Sequence, residues 1–327
     1  MLKIGLVGVG KWGVNYLRVL LKHSDIDLIV VCDIDKPKCS IYEENQEKII
    51  YTDDYKKVLN YEVNAVIIAT PPLTHYVIAN FFLVNNIHVL CEKPLTITCK
   101  SSKELHLLSH KKGLVLLTGY TFLYNDSIRY IKNYLLSESK QKDIKLMKLS
   151  RLNLGPIRKK VSVMYDLATH DIAIALYLLD QVPKFVSAQG FRFEKNNKDD
   201  WFQIQLFFDK SIVNIECFWL NQLKERKVSI HFTNEVITFD DLAKQQVKIY
   251  KVRNNLTEIP IIENIILPAI KIKEPLLNQI ETFFFLIKNK SKYNYKKNAH
   301  FTSLITGVLE TAMKSKNESG LKIPFKL

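Results

Sequence analysis

Asp166 and His170 stand four residues apart and are followed by the apolar run Ile172 to Leu179. On a helix this spacing sets a carboxylate and an imidazole on one face, with Ala173 and Tyr177 continuing the stripe. The other positions are apolar in nearly every direction, so the helix is expected to be buried. A carboxylate beside an imidazole fixes its tautomer and raises its basicity, as a group that moves a proton requires. The same two residues would also suit a helix cap and a satisfied core histidine, so the pair alone leaves both readings open. A third candidate is Lys93, in the turn Glu92-Lys93-Pro94 after a β-prone run Ile87 to Leu90. Its ammonium could stabilise a developing alkoxide or relay a proton.

The elements that must position these groups begin with Leu2 to Val7, a β-prone run leading into Gly8-Val9-Gly10-Lys11-Trp12-Gly13. Val14, Leu17, Leu20 and Leu21 then repeat at helical spacing, which gives strand, glycine turn and helix. Gly8 permits the tight turn, Gly10 lets a pyrophosphate approach the backbone, and Gly13 lets the helix pack against the strand. A second strand, Leu28 to Cys32, ends at Asp33, where a carboxylate would accept the ribose hydroxyls of a dinucleotide and repel a 2′-phosphate. NAD is therefore expected over NADP. A buried strand, Ala65 to Ala69, runs into Thr70-Pro71-Pro72-Leu73-Thr74-His75, where two prolines stop the strand and set the next helix. A strand at Lys48 to Tyr51, helices at Asp54 to Asn60, Thr74 to Asn85 and Ser101 to Lys112, and a strand at Leu114 to Thr118 complete a doubly wound parallel sheet over 1–120. With a nicotinamide bound at such a sheet, oxidation of a secondary alcohol needs a base near the hydroxyl and a positive charge for the alkoxide.

A chain of 327 residues, 47% hydrophobic and 24% charged, can bury a large core and suggests two domains. No apolar run reaches the roughly 18 residues of a membrane span, and the opening strand does not resemble a leader, so a cytoplasmic protein without membrane contact is expected. Five cysteines without Cys-x-x-Cys spacing indicate neither a disulfide framework nor a metal site. The net charge of +14 is spread along the chain with no basic recognition helix, which argues against nucleic acid and favours an anionic small substrate.

After Gly119 the alternation changes. A helix over Asp126 to Ser137 and a strand over Ile144 to Leu152 precede the Asp166 helix. Period-two runs follow: Phe202, Ile204, Leu206 and Phe208; Val213, Ile215, Cys217 and Trp219; Val228, Ile230 and Phe232. These predict antiparallel strands with one wetter face in a second domain, 121–327. Apolar stripes at Glu274 to Ile287 and Ala299 to Lys314 predict two closing helices.

Together, Gly8-x-Gly10-x-x-Gly13, Thr70-Pro71-Pro72-x-x-His75, Glu92-Lys93-Pro94, Gly119-Tyr120 and Asp166-Leu167-Ala168-Thr169-His170-Asp171 resemble the glucose-fructose oxidoreductase and inositol dehydrogenase (Gfo/Idh/MocA) family over essentially the whole chain. The resemblance implies an α/β protein: a Rossmann domain followed by an α/β domain with a large open, mainly antiparallel sheet used for homo-oligomer contacts, as a dimer or tetramer. It implies a held nicotinamide cofactor and redox chemistry at a hydroxyl-bearing sugar or cyclitol carbon. Catalytic roles fall on Lys93, Asp166 and His170, with either the lysine or the histidine as principal acid and base. Cofactor contacts are implied at Gly8, Gly10, Lys11, Trp12, Gly13, Asp33, Ile34, Thr70, Pro71, Pro72, His75, Glu92 and Lys93. Gly155-Pro156-Ile157-Arg158 resembles a branch associated with nucleotide sugars and surface polysaccharides. Arg151 and Arg158 could fork onto a diphosphate or carboxylate, and Tyr124 and Asn125 would meet the sugar beside Lys93 and His170. Many relatives carry Arg-x-Asn-Pro where this chain has Leu123-Tyr124-Asn125-Asp126, which leaves the sugar subclass open. The expectation is an NAD-dependent sugar dehydrogenase or reductase; the alternatives are an NAD-using glycosidase of the same fold and a non-catalytic nucleotide sensor.

Overall fold

The computed structural model describes residues 1–36, 40–155, 161–193, 198–253 and 260–327. The chain divides into two compact units, Met1–Thr121 with Leu276–Thr306, and Phe122–Pro275 with Gly307–Leu327.

The first unit is built on six parallel strands, β1 (Leu2–Val7), β2 (Ile26–Cys32), β3 (Ile49–Thr52), β4 (Ala65–Ile68), β5 (His88–Glu92) and β6 (Leu116–Gly119). Their order is β3-β2-β1-β4-β5-β6, the doubly wound order in which the chain reverses direction between β1 and β4. Helices α1 (Gly13–Leu21), α2 (Ser40–Glu43), α3 (Pro72–Val84) and α4 (Cys99–Lys111) connect them. A parallel sheet is covered on both faces, and so β4 and β5 read as unbroken buried runs. On one face α3 and α4 contribute Ile78, Phe82, Leu83 and Leu105 to the core. On the other, Tyr16, Leu17 and Leu20 of α1 pack with Leu276, Ile280, Phe283 and Phe284.

The last four residues lie on α7 (Pro275–Lys288), which linear reading assigned to the second domain together with everything after residue 120. An apolar stripe reports that a helix is buried but not against what, and here the partner lies more than two hundred residues away in sequence. Where a helix was expected at Asp54 to Asn60, a 3-10 segment spans Tyr55–Tyr61, its start capped by the Asp54 carboxylate on Lys56 N at 2.9 Å.

The second unit carries a nine-stranded sheet of β7 (Leu146–Leu154), β8 (Phe185–Phe191), β9 (Trp201–Phe207), β10 (Ile212–Phe218), β11 (Leu220–His231), β12 (Glu235–Asp240), β13 (Val247–Arg253), β14 (Ile261–Ile266) and β15 (Ile323–Pro324). The order is β14-β13-β12-β11-β7-β10-β9-β8-β15, antiparallel except where β10 runs parallel to β7. The expected alternation holds: Phe202, Ile204, Leu206, Val213, Ile215 and Cys217 are buried. Helices α5 (Asp126–Ser137) and α6 (Thr169–Leu179) belong to this unit, and the division between units falls within α8 (Tyr295–Asn317). A hollow of about 600 Å³, lined among others by Lys148, Gln203, Ile215, Glu216, Val228 and Phe239, contains none of the expected catalytic residues. Among the described residues, no helix is long and apolar enough to cross a membrane.

Candidate active site

In the first unit the site is built at the carboxyl edge of the sheet. Gly8 has φ +93°, and a Cβ there would meet Ala69 and Thr70 backbone atoms at 2.8 to 2.9 Å. A Cβ at Gly13 would collide with the Gly8 carbonyl, so α1 packs against its strand only because that residue is bare. At Gly10 a Cβ would meet nothing within 4 Å, which leaves the backbone open to an approaching group. The first turn of α1 holds no acidic side chain and no side-chain cap, so its N–H groups and dipole favour an anion. Asp33 Oδ2 accepts a hydrogen bond from Val9 N at 2.6 Å, which fixes the carboxylate beside the glycine turn. These features fit a dinucleotide: pyrophosphate at the turn, ribose at Asp33. Lys11, Trp12 and Ile34 are exposed at the same edge.

Two of the expected cofactor contacts are braces instead. Glu92, 8% exposed, accepts from Trp12 Nε1 and Tyr16 Oη on Oε1, each at 2.7 Å, and from Lys93 N on Oε2 at 3.1 Å. One carboxylate thus ties the glycine turn to the turn bearing Lys93. Burial pushes the Tyr16 phenol well up, and the neighbouring Glu92 charge adds to the rise. Gly119 makes room for this brace, since a Cβ there would lie 2.8 Å from Glu92 Oε1. His75 is fully buried, with Nδ1 2.8 Å from the Pro94 carbonyl and Nε2 2.8 Å from the Thr70 carbonyl. A neutral ring donates to only one of these carbonyls, but with a carbonyl against each nitrogen it packs between the Thr70-Pro71-Pro72 turn and the Lys93-Pro94 turn and presents no polar atom to a ligand. Burial lowers its pKa, while the two carbonyls act in the opposite sense. Thr70 and Pro72 are half-buried, Pro71 is exposed, and Lys93 is half-buried at the end of β5.

In the second unit Asp166 lies in a π-helical turn, Met164–Ala168, that runs directly into α6, where a plain α-helix was expected. The wider turn is a local feature often found at functional positions, and it carries no sequence signature of its own. Four residues remain about one turn, so Asp166 and His170, both half-buried, share a side. The His170 ring meets Phe122 edge-on, with centroids 5.3 Å apart. The Arg151 guanidinium lies 4.2 Å from the centroid of the same Phe122 ring.

Arg151 is not available to a substrate. It forks onto Asp171, Nε to Oδ2 at 3.0 Å and Nη2 to Oδ1 at 2.8 Å, with the two side chains 6% and 2% exposed. The sequence offered no sign that Asp171, adjacent to His170, would claim it. Asn125, 2% exposed, uses Oδ1 to cap α5 through Ser127 N at 2.9 Å and Ile128 N at 3.3 Å, so its expected role at a sugar hydroxyl gives way to an N-cap. Tyr124 is half-buried beside Arg129, and burial pushes its phenol up to about 12. Arg158 lies outside the described residues.

A parallel sheet of this order with a glycine turn defines a dinucleotide-binding α/β unit, here in one chain with a large, mainly antiparallel sheet. Residues 2–120 match the Gfo/Idh/MocA oxidoreductase family, NAD-binding Rossmann fold, and residues 156–238 match the Gfo/Idh/MocA C-terminal domain. The chain belongs to the Gfo/Idh/MocA family. It is 23% identical over 197 residues to myo-inositol 2-dehydrogenase of Thermotoga maritima, covering 58% of each chain. It is 28% identical over 132 residues to UDP-N-acetylglucosamine 3-dehydrogenase of Acidithiobacillus ferrooxidans, covering 39% of this chain and 40% of that one. The matched stretches thus span about half the length of these curated relatives. Among solved structures, GenD2 from gentamicin A biosynthesis, in complex with NAD, superposes with a TM-score of 0.83 at 19% identity, covering 100% of this chain and 97% of that one. The Acidithiobacillus enzyme gives 0.80 at 19%, covering 97% and 98%. At these identities the likeness shows the fold.

Proposed function

We propose that the protein is an NAD-dependent dehydrogenase or reductase that moves hydride to or from a sugar hydroxyl carbon, with a nucleotide-linked sugar as substrate. The observation that carries the reading is the Glu92 brace. It couples the turn bearing Lys93 to the glycine turn that fits a pyrophosphate, so a catalytic ammonium is positioned by the same contacts that shape the nucleotide site. When bound, the nicotinamide supplies the hydride acceptor or donor. His170 takes the hydroxyl proton on oxidation and returns it on reduction, Asp166 orients the imidazole, and Lys93 stabilises charge on the substrate oxygen or relays the proton. Asp33 favours NAD, because a carboxylate at the ribose repels a 2′-phosphate. The wetter face of the nine-stranded sheet is assigned to contacts in a homodimer or homotetramer, in the cytoplasm.

Relatives named for inositol and for UDP-N-acetylglucosamine support a hydroxylated ring as substrate. The test is mass spectrometry of nucleotide released from the purified protein, followed by NADH fluorescence against a panel of UDP- and dTDP-sugars. Bound NAD(H) and turnover with one of the panel are expected. A protein that retains no nucleotide, or releases free sugar with no net change in NADH, contradicts the proposal.

A further inference from the structure

With Arg151 sealed against Asp171, the question is which cation near the Asp166–His170 stripe is free to recognise a substrate. Arg129 answers the description. It sits one turn into α5, where its backbone N–H bonds the Asn125 carbonyl at 3.0 Å. Its side chain is half-buried and held in place: Nε donates to the Leu123 carbonyl at 3.2 Å, and the guanidinium lies 5.1 Å from the centre of the Tyr124 ring. Among the described residues, that Nε bond is the only hydrogen bond of the side chain, and no carboxylate pairs with it. Both Nη groups therefore remain for a ligand. Lys132, one turn further along α5, differs in having its charge answered by Asp180 at 3.9 Å.

The position is as telling as the vacancy in its pairing. Tyr177 continues the Asp166–His170 side of α6, seven residues or two turns past His170, roughly 10 Å along the helix axis. Burial raises the phenols of both Tyr124 and Tyr177, and in both the Arg129 charge opposes the rise, as it does only for near neighbours. The carbonyl that holds Arg129 belongs to Leu123, next to Phe122, whose ring meets His170, so the guanidinium, Tyr124 and the imidazole belong to one region of the second unit.

We propose that Arg129 recognises an oxyanion, phosphate or carboxylate, carried by the sugar substrate. A half-buried guanidinium with no counter-charge has paid part of its desolvation in advance. Fixed through Nε, it offers two parallel donors in the geometry that an oxyanion accepts. An arginine with no role beyond solubility would extend into water and lose its charge to screening; this one is held back against a ring by a bond to a carbonyl. The inference rests on the reading that the Asp166–His170 stripe faces substrate.

The experiment is calorimetric binding to the full-length protein with saturating NADH, using UDP-N-acetylglucosamine, glucuronate and uncharged myo-inositol as probes. The wild type should bind at least one anionic sugar about tenfold more tightly than inositol, and which one decides between phosphate and carboxylate. Arg129→Met should lower that affinity at least about tenfold, with NADH affinity and melting temperature unchanged, and Arg129→Lys should restore it only in part. No preference for either anionic sugar in the wild type, or an unchanged affinity in Arg129→Met, overturns the proposal. His170→Asn separates the two readings: if it turns over normally while Arg129→Met loses affinity, the catalytic assignment fails and the anion site stands.

Discussion

Replacing Arg151 by methionine should cost stability and leave substrate affinity alone. Its fork to Asp171 has three hydrogen bonds, at 3.2, 3.0 and 2.8 Å, between side chains 6% and 2% exposed. Removing one partner strands the other charge in the interior, a loss of about 3–5 kcal/mol. For a unit of this size that lowers the melting temperature by roughly 6–20 °C, at about 2–4 °C per kcal/mol. Removing both charges, as Arg151→Met with Asp171→Leu, avoids the stranded carboxylate and should recover most of the loss. About 0.5–2 kcal/mol from the guanidinium over Phe122 would remain missing. Because that ring also contacts His170, the double variant should show a reduced kcat with KM for the sugar changed less than about twofold. Scanning calorimetry and steady-state kinetics on the wild type and the two variants decide the matter. A melting temperature that stays put in Arg151→Met while KM rises tenfold would show that Arg151 touches substrate and that the structural reading is wrong.

Acid should weaken the first unit before it protonates surface carboxylates. His88 and His106 are buried, and burial pulls each down from 6.5 to about 4. His88 Nδ1 accepts from Val115 N at 2.9 Å, and His106 Nε2 has no hydrogen-bond partner among the described residues, so neither site welcomes a proton. With the folded pKa below the unfolded one, their contribution is complete above pH 6.5 and is lost as pH falls from 6.5 towards 4, up to roughly 3 kcal/mol each. Urea midpoints measured across that window should fall steeply, and a flat profile would contradict the assignment. Gly119→Ala should destabilise by about 1–3 kcal/mol, because its Cβ would press on the Glu92 carboxylate that holds Trp12 and Tyr16. Nucleotide affinity, read by NADH fluorescence, should drop with it; unchanged melting and affinity would dismiss the brace. Asp33→Ser should raise NADP affinity relative to NAD by at least about tenfold, and an unaltered ratio would remove Asp33 from the ribose site.

Much of the first unit was legible because its determinants are local. Gly8 takes a positive φ and Gly13 packs on the Gly8 carbonyl within one turn, and Asp33 follows its strand directly, so type and spacing carry the information. The antiparallel sheet was legible through its period-two burial. What escaped depended on contacts distant in sequence. The α7 stripe was seen as buried, but its partner core in the first unit was not. Glu92 and His75 look like ligand residues in a motif and prove to be braces, because Trp12, Tyr16, Thr70 and Pro94 converge on them in three dimensions. Arg151 and Arg129 are the same residue type. Only the fold distinguishes the one paired with Asp171 from the one left with its Nη groups unbonded among the described residues.

The central claim is that Lys93 and His170 serve one hydride transfer. The most direct measurement is single-turnover oxidation of bound NADH, or reduction of bound NAD, by the active sugar in Lys93→Ala and His170→Ala, each first shown by mass spectrometry to retain its nucleotide. The account predicts that both variants keep the cofactor and that each slows the transfer by at least about a hundredfold, the scale of a lost acid, base or charge stabiliser. Transfer at the wild-type rate in both would contradict it.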